Sequence, residues 1–280
     1  MAVFLAYDGS VNGDWIARYA VRMAAHTPER VLTVLYGEDV GLPAPALADR
    51  FEALTAQAAA QGVRAEVEVI PVHGGVFRGL VERLPPGPGT VLVCGLRVRG
   101  GRRGYLAGTI SAQLLAHGRF HTLALRVVRP GLLGVARRVL APVGDHPRQP
   151  GQGLTCLGLL GADIRRVHVL RVVTLGSVAF RRLDARRAGR LRAAGSERTQ
   201  AVAAEVAAAL RLDPAHVHPL VRVSDDWVKQ VVIEAGRLDS DLIYLEAPRA
   251  SLARLFRFGD PMEELLRDTP CDVALYRGPA

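Results

Sequence analysis

Lysine is almost absent from this chain. Of its 36 Lys+Arg residues only Lys229 is a lysine. A Walker A loop requires Gly-x-x-x-x-Gly-Lys-[Ser/Thr], and Lys229 follows Val228, so P-loop chemistry is excluded. Schiff-base chemistry, which requires an amine, is left with one candidate. Cysteine is scarce too. Cys94, Cys156 and Cys271 lie far apart and form no C-x-x-C pair, which points to reduced, buried thiols and away from a disulfide framework or a zinc knuckle. Long apolar runs are missing: no stretch approaches the roughly 18 residues of a membrane helix. The opening MAVFLAYDGS reaches Asp8 too early for a signal-peptide core. A cytoplasmic protein with no membrane partner is the expectation.

Acidic residues are missing locally. Between Arg83 and Gly144 there are ten arginines and no Asp or Glu, a window of +10 in a chain whose whole net charge is +9. That concentrates a positive field on one part of the sequence. Apolar residues are plentiful, at 49% against 22% charged, so 280 residues can build about two packed domains.

Short apolar runs alternate with helical periodicity. Strands are expected at Val3–Tyr7, Val31–Tyr36, Arg64–Ile70, Val91–Cys94 and Thr122–Val127. Between them, Trp15, Ile16, Tyr19, Ala20 and Met23 line one helix face, with Ser10 or Asn12 as cap. Ala44–Gly62, Val76–Leu84 and Ile110–His117 complete the series. The second half repeats the order, with strands at Val139–Val143, Arg166–Val173, His216–Val223, Leu242–Leu245 and Val273–Tyr276. Its helices are Ser196–Leu212, Asp226–Arg237 and Pro261–Arg267. Alternation of this kind means parallel sheet covered on both faces. TVLVCG at Thr90 and DLIYLE at Asp241 are offset by 151 residues, as are HTLALR at His121 and DVALYR at Asp272. The chain reads as a tandem repeat, residues 1–130 and 137–280, with the boundary near Pro130–Ala136.

In an open parallel sheet, ligands sit beyond the carboxyl ends of the strands, where strand order reverses. Two loops belong there: Tyr7-Asp8-Gly9-Ser10 after the first strand, and the glycine- and arginine-rich run from Gly95 to Thr109 after the fourth. Glycines let a backbone approach a ligand closely. The helix starting at Ile110 offers free N–H groups to an anion. Thr109 and Ser111 add hydroxyls, and Arg97 and Arg99 add guanidinium groups suited to phosphate.

These residues resemble the universal stress protein family. Ala6-Tyr7-Asp8-Gly9-Ser10 opens the likeness. Gly95, Gly108 and Thr109 hold their places in the family's G-x2-G-x9-G-[S/T] pattern, and Ser111 matches the serine that often follows. Val98 replaces the second glycine, a departure. The resemblance implies an adenine-nucleotide alpha hydrolase-like α/β fold, in two tandem doubly wound domains of five parallel strands in order 3-2-1-4-5. It also implies ATP or another adenine nucleotide as ligand, with Mg2+ able to accompany it. The nucleotide-binding residues so implied are Ala6, Asp8, Gly95, Gly108, Thr109 and Ser111, to which the guanidinium chemistry of Arg97 and Arg99 adds those two. It further implies intramolecular pairing of the two domains. A homodimer and a docked protein partner remain open.

The second copy reads as degenerate. Glu246 stands for Gly95, Asp260 for Thr109 and Gly144 for Asp8, and two carboxylates would repel a polyphosphate. His216 and His218, two apart in an expected strand, share a face but lack a third metal ligand. Asp225 and Asp226 precede a helical pattern as caps. Nucleic acid is disfavoured at the Gly95 loop because no aromatics interleave its arginines. No acid, base and nucleophile come together by spacing, so no enzyme is expected.

Overall fold

The computed structural model describes residues 1–38, 44–96, 109–144, 152–247 and 261–279. The first half runs β1 (Ala2–Tyr7), α1 (Val11–Ala25), β2 (Val31–Gly37), α2 (Ala44–Ala59), β3 (Arg64–Ile70), α3 (Val76–Arg83), β4 (Gly87–Gly95), α4 (Ile110–His117) and β5 (Phe120–Arg126). The second runs β6 (Arg138–Val143), α5 (Thr155–Leu159), β7 (Arg166–Thr174), α6 (Ser177–Arg181), α7 (Ala185–Leu210), β8 (Val217–Ser224), α8 (Trp227–Arg237), β9 (Leu242–Glu246), α9 (Pro261–Asp268) and β10 (Asp272–Arg277).

All ten strands form one sheet, in the order β3-β2-β1-β4-β5-β10-β9-β6-β7-β8. Each half is therefore a parallel five-stranded unit whose strands follow the order 3-2-1-4-5. The halves join through β5 and β10, which pair antiparallel with Leu125 opposite Ala274 and Leu123 opposite Tyr276. That antiparallel seam puts the carboxyl ends of the two halves at opposite edges of the sheet.

The strand faces explain the layering. Leu5, Val34, Val93 and Val139 point into a core shared with Ile16 and Tyr19 of α1, Leu54 of α2, Leu157 of α5 and Val206 of α7. Phe4, Leu35, Leu92 and Ile243 point the other way, onto Leu80 of α3, Leu115 of α4, Val231 of α8 and Leu265 of α9. Strands buried on both faces are continuous apolar runs, the pattern that marked them in the sequence. Cys94, Cys156 and Cys271 are free thiols within these cores.

Three expectations shift. The strand read from His216 starts at Val217, because Pro214–His216 forms a 3₁₀ turn. His218 consequently pairs across the sheet with His168, ring over ring at 5.1 Å, and not with His216. The helix expected over Ser196–Leu212 begins eleven residues earlier, at Ala185, capped by Asp184. Its arginine-rich first turns lack apolar periodicity, so they were not legible as a helix.

The segment between the halves is held by two buried carboxylates. Asp272 accepts from the Val128 and Arg129 amides at 2.7 and 2.8 Å and from the Tyr19 hydroxyl at 2.6 Å. Asp241 accepts from the Arg137 and Arg138 amides and from the Arg138 guanidinium, at 2.9–3.0 Å. Asp272 reaches from the second half across the join to the first, while Asp241 anchors the start of the second half within that half.

Candidate functional site

Strand order reverses between β1 and β4, whose register sets Leu5 beside Val93. The crevice beyond their carboxyl ends holds most of the described site residues. Ala6 is a half-buried strand residue opposite Leu35. Asp8 follows the last strand residue, Tyr7, and is half-buried. Its Oδ1 accepts from the Ser10 amide at 3.0 Å and the Ser10 hydroxyl at 2.6 Å. Ser10 in turn caps α1 by accepting from the Gly13 amide at 3.0 Å, which settles the cap in favour of Ser10 over Asn12.

This turn depends on a glycine that the sequence reading passed over. A Cβ on Gly13 would stand 2.5 Å from Asp8 Oδ1 and 3.2 Å from the Tyr7 ring. Only a bare Cα lets the first turn of α1 press against Asp8. A glycine three residues into an amphipathic helix was the available signal.

Gly95 ends β4 against the same turn: a Cβ there would meet Ile16 Cδ1 at 2.8 Å and Asn12 Nδ2 at 3.6 Å. Thr109 caps α4 by accepting from the Ala112 amide at 3.2 Å, and its hydroxyl lies 3.2 Å from that of Ser111. Both hydroxyls are buried at the helix start, where amide donors and the helix dipole favour an anion. Arg97, Val98, Arg99 and Gly108 lie outside the described residues, as do Asp145 and Asp260 of the second half.

An aromatic wall, also missed, closes the β2 side. Tyr7 and Tyr36 pack on Phe51 of α2 with ring centroids 6.0 and 5.6 Å away. The Tyr7 hydroxyl donates to Asp14, which also pairs with Arg50. Burial, reinforced by Asp14, pushes the Tyr7 phenol well above its ordinary range. Tyr36 is raised by burial and then by the Asp8 charge, so Asp8 acts electrostatically on this wall. These tyrosines stay protonated, as donors beside a carboxylate. The residues present suit an adenine nucleotide in kind: aromatic rings, a carboxylate acceptor for base or sugar donors, and a helix start for phosphate.

The charge map differs from the sequence window. Three of the arginines of the acid-free stretch pair with carboxylates from elsewhere: Arg83 with Glu68, Arg129 with Asp239, and Arg138 with Asp239 and Asp241. At those three positions the positive charge is offset by a carboxylate that lies outside the stretch in the sequence.

At the second-half counterpart the described residues close on one another. Glu246 ends β9, and its carboxylate lies 2.8 Å from where a Gly153 Cβ would be. The Tyr244 hydroxyl donates to the Gly153 carbonyl at 2.7 Å and holds that turn against the strand end.

No family model matches the chain, and no curated protein matches it by sequence. Solved structures do. A universal stress protein from Archaeoglobus fulgidus matches at a TM-score of 0.62 with 16% identity, covering 98% of this chain and 95% of that one. A putative universal stress protein from Pseudomonas aeruginosa matches at 0.56 with 14% identity, covering 98% and 92%. The chain has the universal stress protein fold. That fold also matches the cytoplasmic domain of a prokaryotic cation chloride cotransporter, at 0.58 with 12% identity, covering 99% of this chain and 95% of that one. Among the described residues, no helix is long and apolar enough to cross a membrane, and no three His, Cys, Asp or Glu side chains gather to hold a metal.

Proposed function

We propose that this protein is a stress-response regulator of the universal stress protein type that binds ATP or a related adenine nucleotide at the β1/β4 crevice of its first half. One observation carries the reading: Asp8, Gly95 and the Thr109–Ser111 helix start all lie at the carboxyl ends of the two strands between which the sheet reverses. Binding without turnover is the proposed activity. Asp8 is engaged by Ser10 and oriented as an acceptor, while Thr109 and Ser111 serve as phosphate donors. Arg97, Arg99 and Gly108 complete the phosphate loop in this reading, and the second half pairs with the first without a nucleotide of its own.

The test is direct. The purified protein, denatured and analysed by mass spectrometry, should release about one adenine nucleotide per chain. Calorimetry should show Asp8→Ala and Gly108→Glu weakening ATP binding at least tenfold. If the wild type binds ATP, ADP and AMP no better than millimolar, the nucleotide reading is wrong. The alternative is then a nucleotide-free scaffold docking a protein partner, a reading favoured by the occurrence of this fold as a transporter's cytoplasmic domain.

A further inference from the structure

The longest helix of the chain is also its least buried at one end. α7 spans 26 residues, about 39 Å at 1.5 Å per residue. Its buried residues begin at Gly195, where the helix meets Val221 of β8, and continue through Thr199, Ala203, Val206 and Leu210. Residues 185–194 bury none, so about 15 Å of helix stands clear of the core beyond the carboxyl end of β7. This arm and the end of α6 carry Arg181, Arg182, Arg186, Arg187, Arg190 and Arg192, all exposed. Counting to Arg198 gives seven arginines against Asp184 and Glu197, a net of +5 over residues 181–198.

Elsewhere many arginines of this protein are ion-paired, as at Arg22–Asp163, Arg78–Glu82 and Arg222–Glu234. Among the described residues the six listed above form no ion pair. The one acid at the base of the arm, Asp184, is spent on the helix cap, accepting from the Arg187 amide at 2.6 Å. At about 100° per residue, Arg186, Arg190 and Arg187 share one 100° arc of the surface. Ala185, Ala188, Gly189, Ala193 and Ala194 fill the rest and keep the arm slender.

We propose that this arm is a docking surface for duplex DNA, contacting the phosphate backbone without sequence readout. A helix of small residues is about 10 Å across and fits the roughly 12 Å major groove of B-form DNA, between two walls of phosphate. Guanidinium groups on several sides then reach phosphates on both walls. A lipid surface would require an apolar face opposite the cations. The arm offers Leu191, half-buried, and the adjacent α6 offers one strongly exposed aliphatic, Val178 at 67%. The arm extends from a helix that packs beside β7 and β8, at one end of the strand order, well away from the β1/β4 crevice that holds Asp8.

The experiment is fluorescence anisotropy of the full chain with a labelled 25-base-pair duplex of arbitrary sequence, over about 50–200 mM salt. Four or five phosphate contacts predict a slope of about −4 in log K against log[salt]. Arg186→Gln, Arg187→Gln and Arg190→Gln combined should make that slope shallower by about 3 and weaken binding at 50 mM salt more than tenfold. The corresponding triple Arg-to-Lys variant should retain both, and circular dichroism confirms that each variant is folded. Arg64→Gln, Arg78→Gln and Arg83→Gln combined remove the same net charge from paired positions and should leave the slope unchanged. No duplex binding at 50 mM salt would overturn the proposal, as would an unaltered slope in the α7 variant. Binding to phosphatidylserine vesicles in place of DNA, lost in the same variant, would replace it with a membrane surface. Asp8→Ala should not affect the duplex titration, which separates this outcome from that of the nucleotide reading.

Discussion

Replacing Asp272 with alanine tests whether the two halves are held as the structure describes. The side chain is fully buried at the start of β10 and receives three donors: the Tyr19 hydroxyl from α1 and the Val128 and Arg129 amides from the segment leaving β5. Hydrogen bonds to a charged acceptor contribute about 1.5–3 kcal/mol each, and donors left buried without partners add a desolvation cost. Against this stands the cost of burying the charge itself, visible in the carboxyl being pushed above its usual range by burial while the three donors pull it down. The balance gives about 4 kcal/mol for Asp272→Ala, comparable to breaking a buried ion pair from one side. At about 2–4 °C per kcal/mol this lowers the melting temperature by roughly 10 °C. Asp272→Asn keeps an acceptor for the two amides and removes the buried charge, so it should cost about half as much. Tyr19→Phe should cost about 1–2 kcal/mol, and a double-mutant cycle with Asp272→Ala should show at least about 1 kcal/mol of coupling. Guanidinium unfolding followed by circular dichroism measures all four variants. A loss below about 1 kcal/mol for Asp272→Ala, or strict additivity with Tyr19→Phe, would refute the clamp.

Stability should fall with acid through His168. Burial, then the neighbouring His218 and Arg166, lower its pKa to about 4, with Glu234 opposing them. A base with a depressed folded pKa adds stability above its unfolded value near 6.5 and loses it as pH falls toward 4. The loss between pH 7 and 5 should be about 2 kcal/mol, with His168→Gln showing a correspondingly flatter profile in denaturant titrations. The thiols should be inert in the native state: all three are buried, and burial pushes Cys94 up to about 12 and Cys271 to about 11. A colorimetric thiol reagent at pH 8 should label none rapidly and three after unfolding. Fast labelling of any one in the folded protein would contradict the packing of that core.

Where the sequence was legible, a strong local pattern met a tertiary environment that agreed with it. Continuous apolar runs such as Val91–Cys94 became strands buried on both faces, and the 151-residue offset became two units of like strand order. Ser10 and Asp226 capped the helices expected of them, because a cap needs only its own turn. Asp8, Gly95, Thr109 and Ser111 came together at the strand reversal because chain order fixes which strand ends adjoin. The Tyr7–Asp14–Arg50 group stayed hidden, since its members come from β1, α1 and α2 and no spacing rule links them.

By itself, then, the sequence determined the alternation of strands and helices, the repeat and the residues placed at the crevice, all properties of local period and order. Tertiary structure alone decided how charge is distributed. The acid-free stretch looked like the protein's positive pole, yet Glu68, Asp239 and Asp241 fold back onto three of its arginines, Arg83, Arg129 and Arg138. The arm of α7, unremarked in one dimension, keeps its arginines unpaired because ten residues of helix outrun the sheet that would have covered them. Coulomb interactions follow distance in space, not separation along the chain, and only the fold sets that distance.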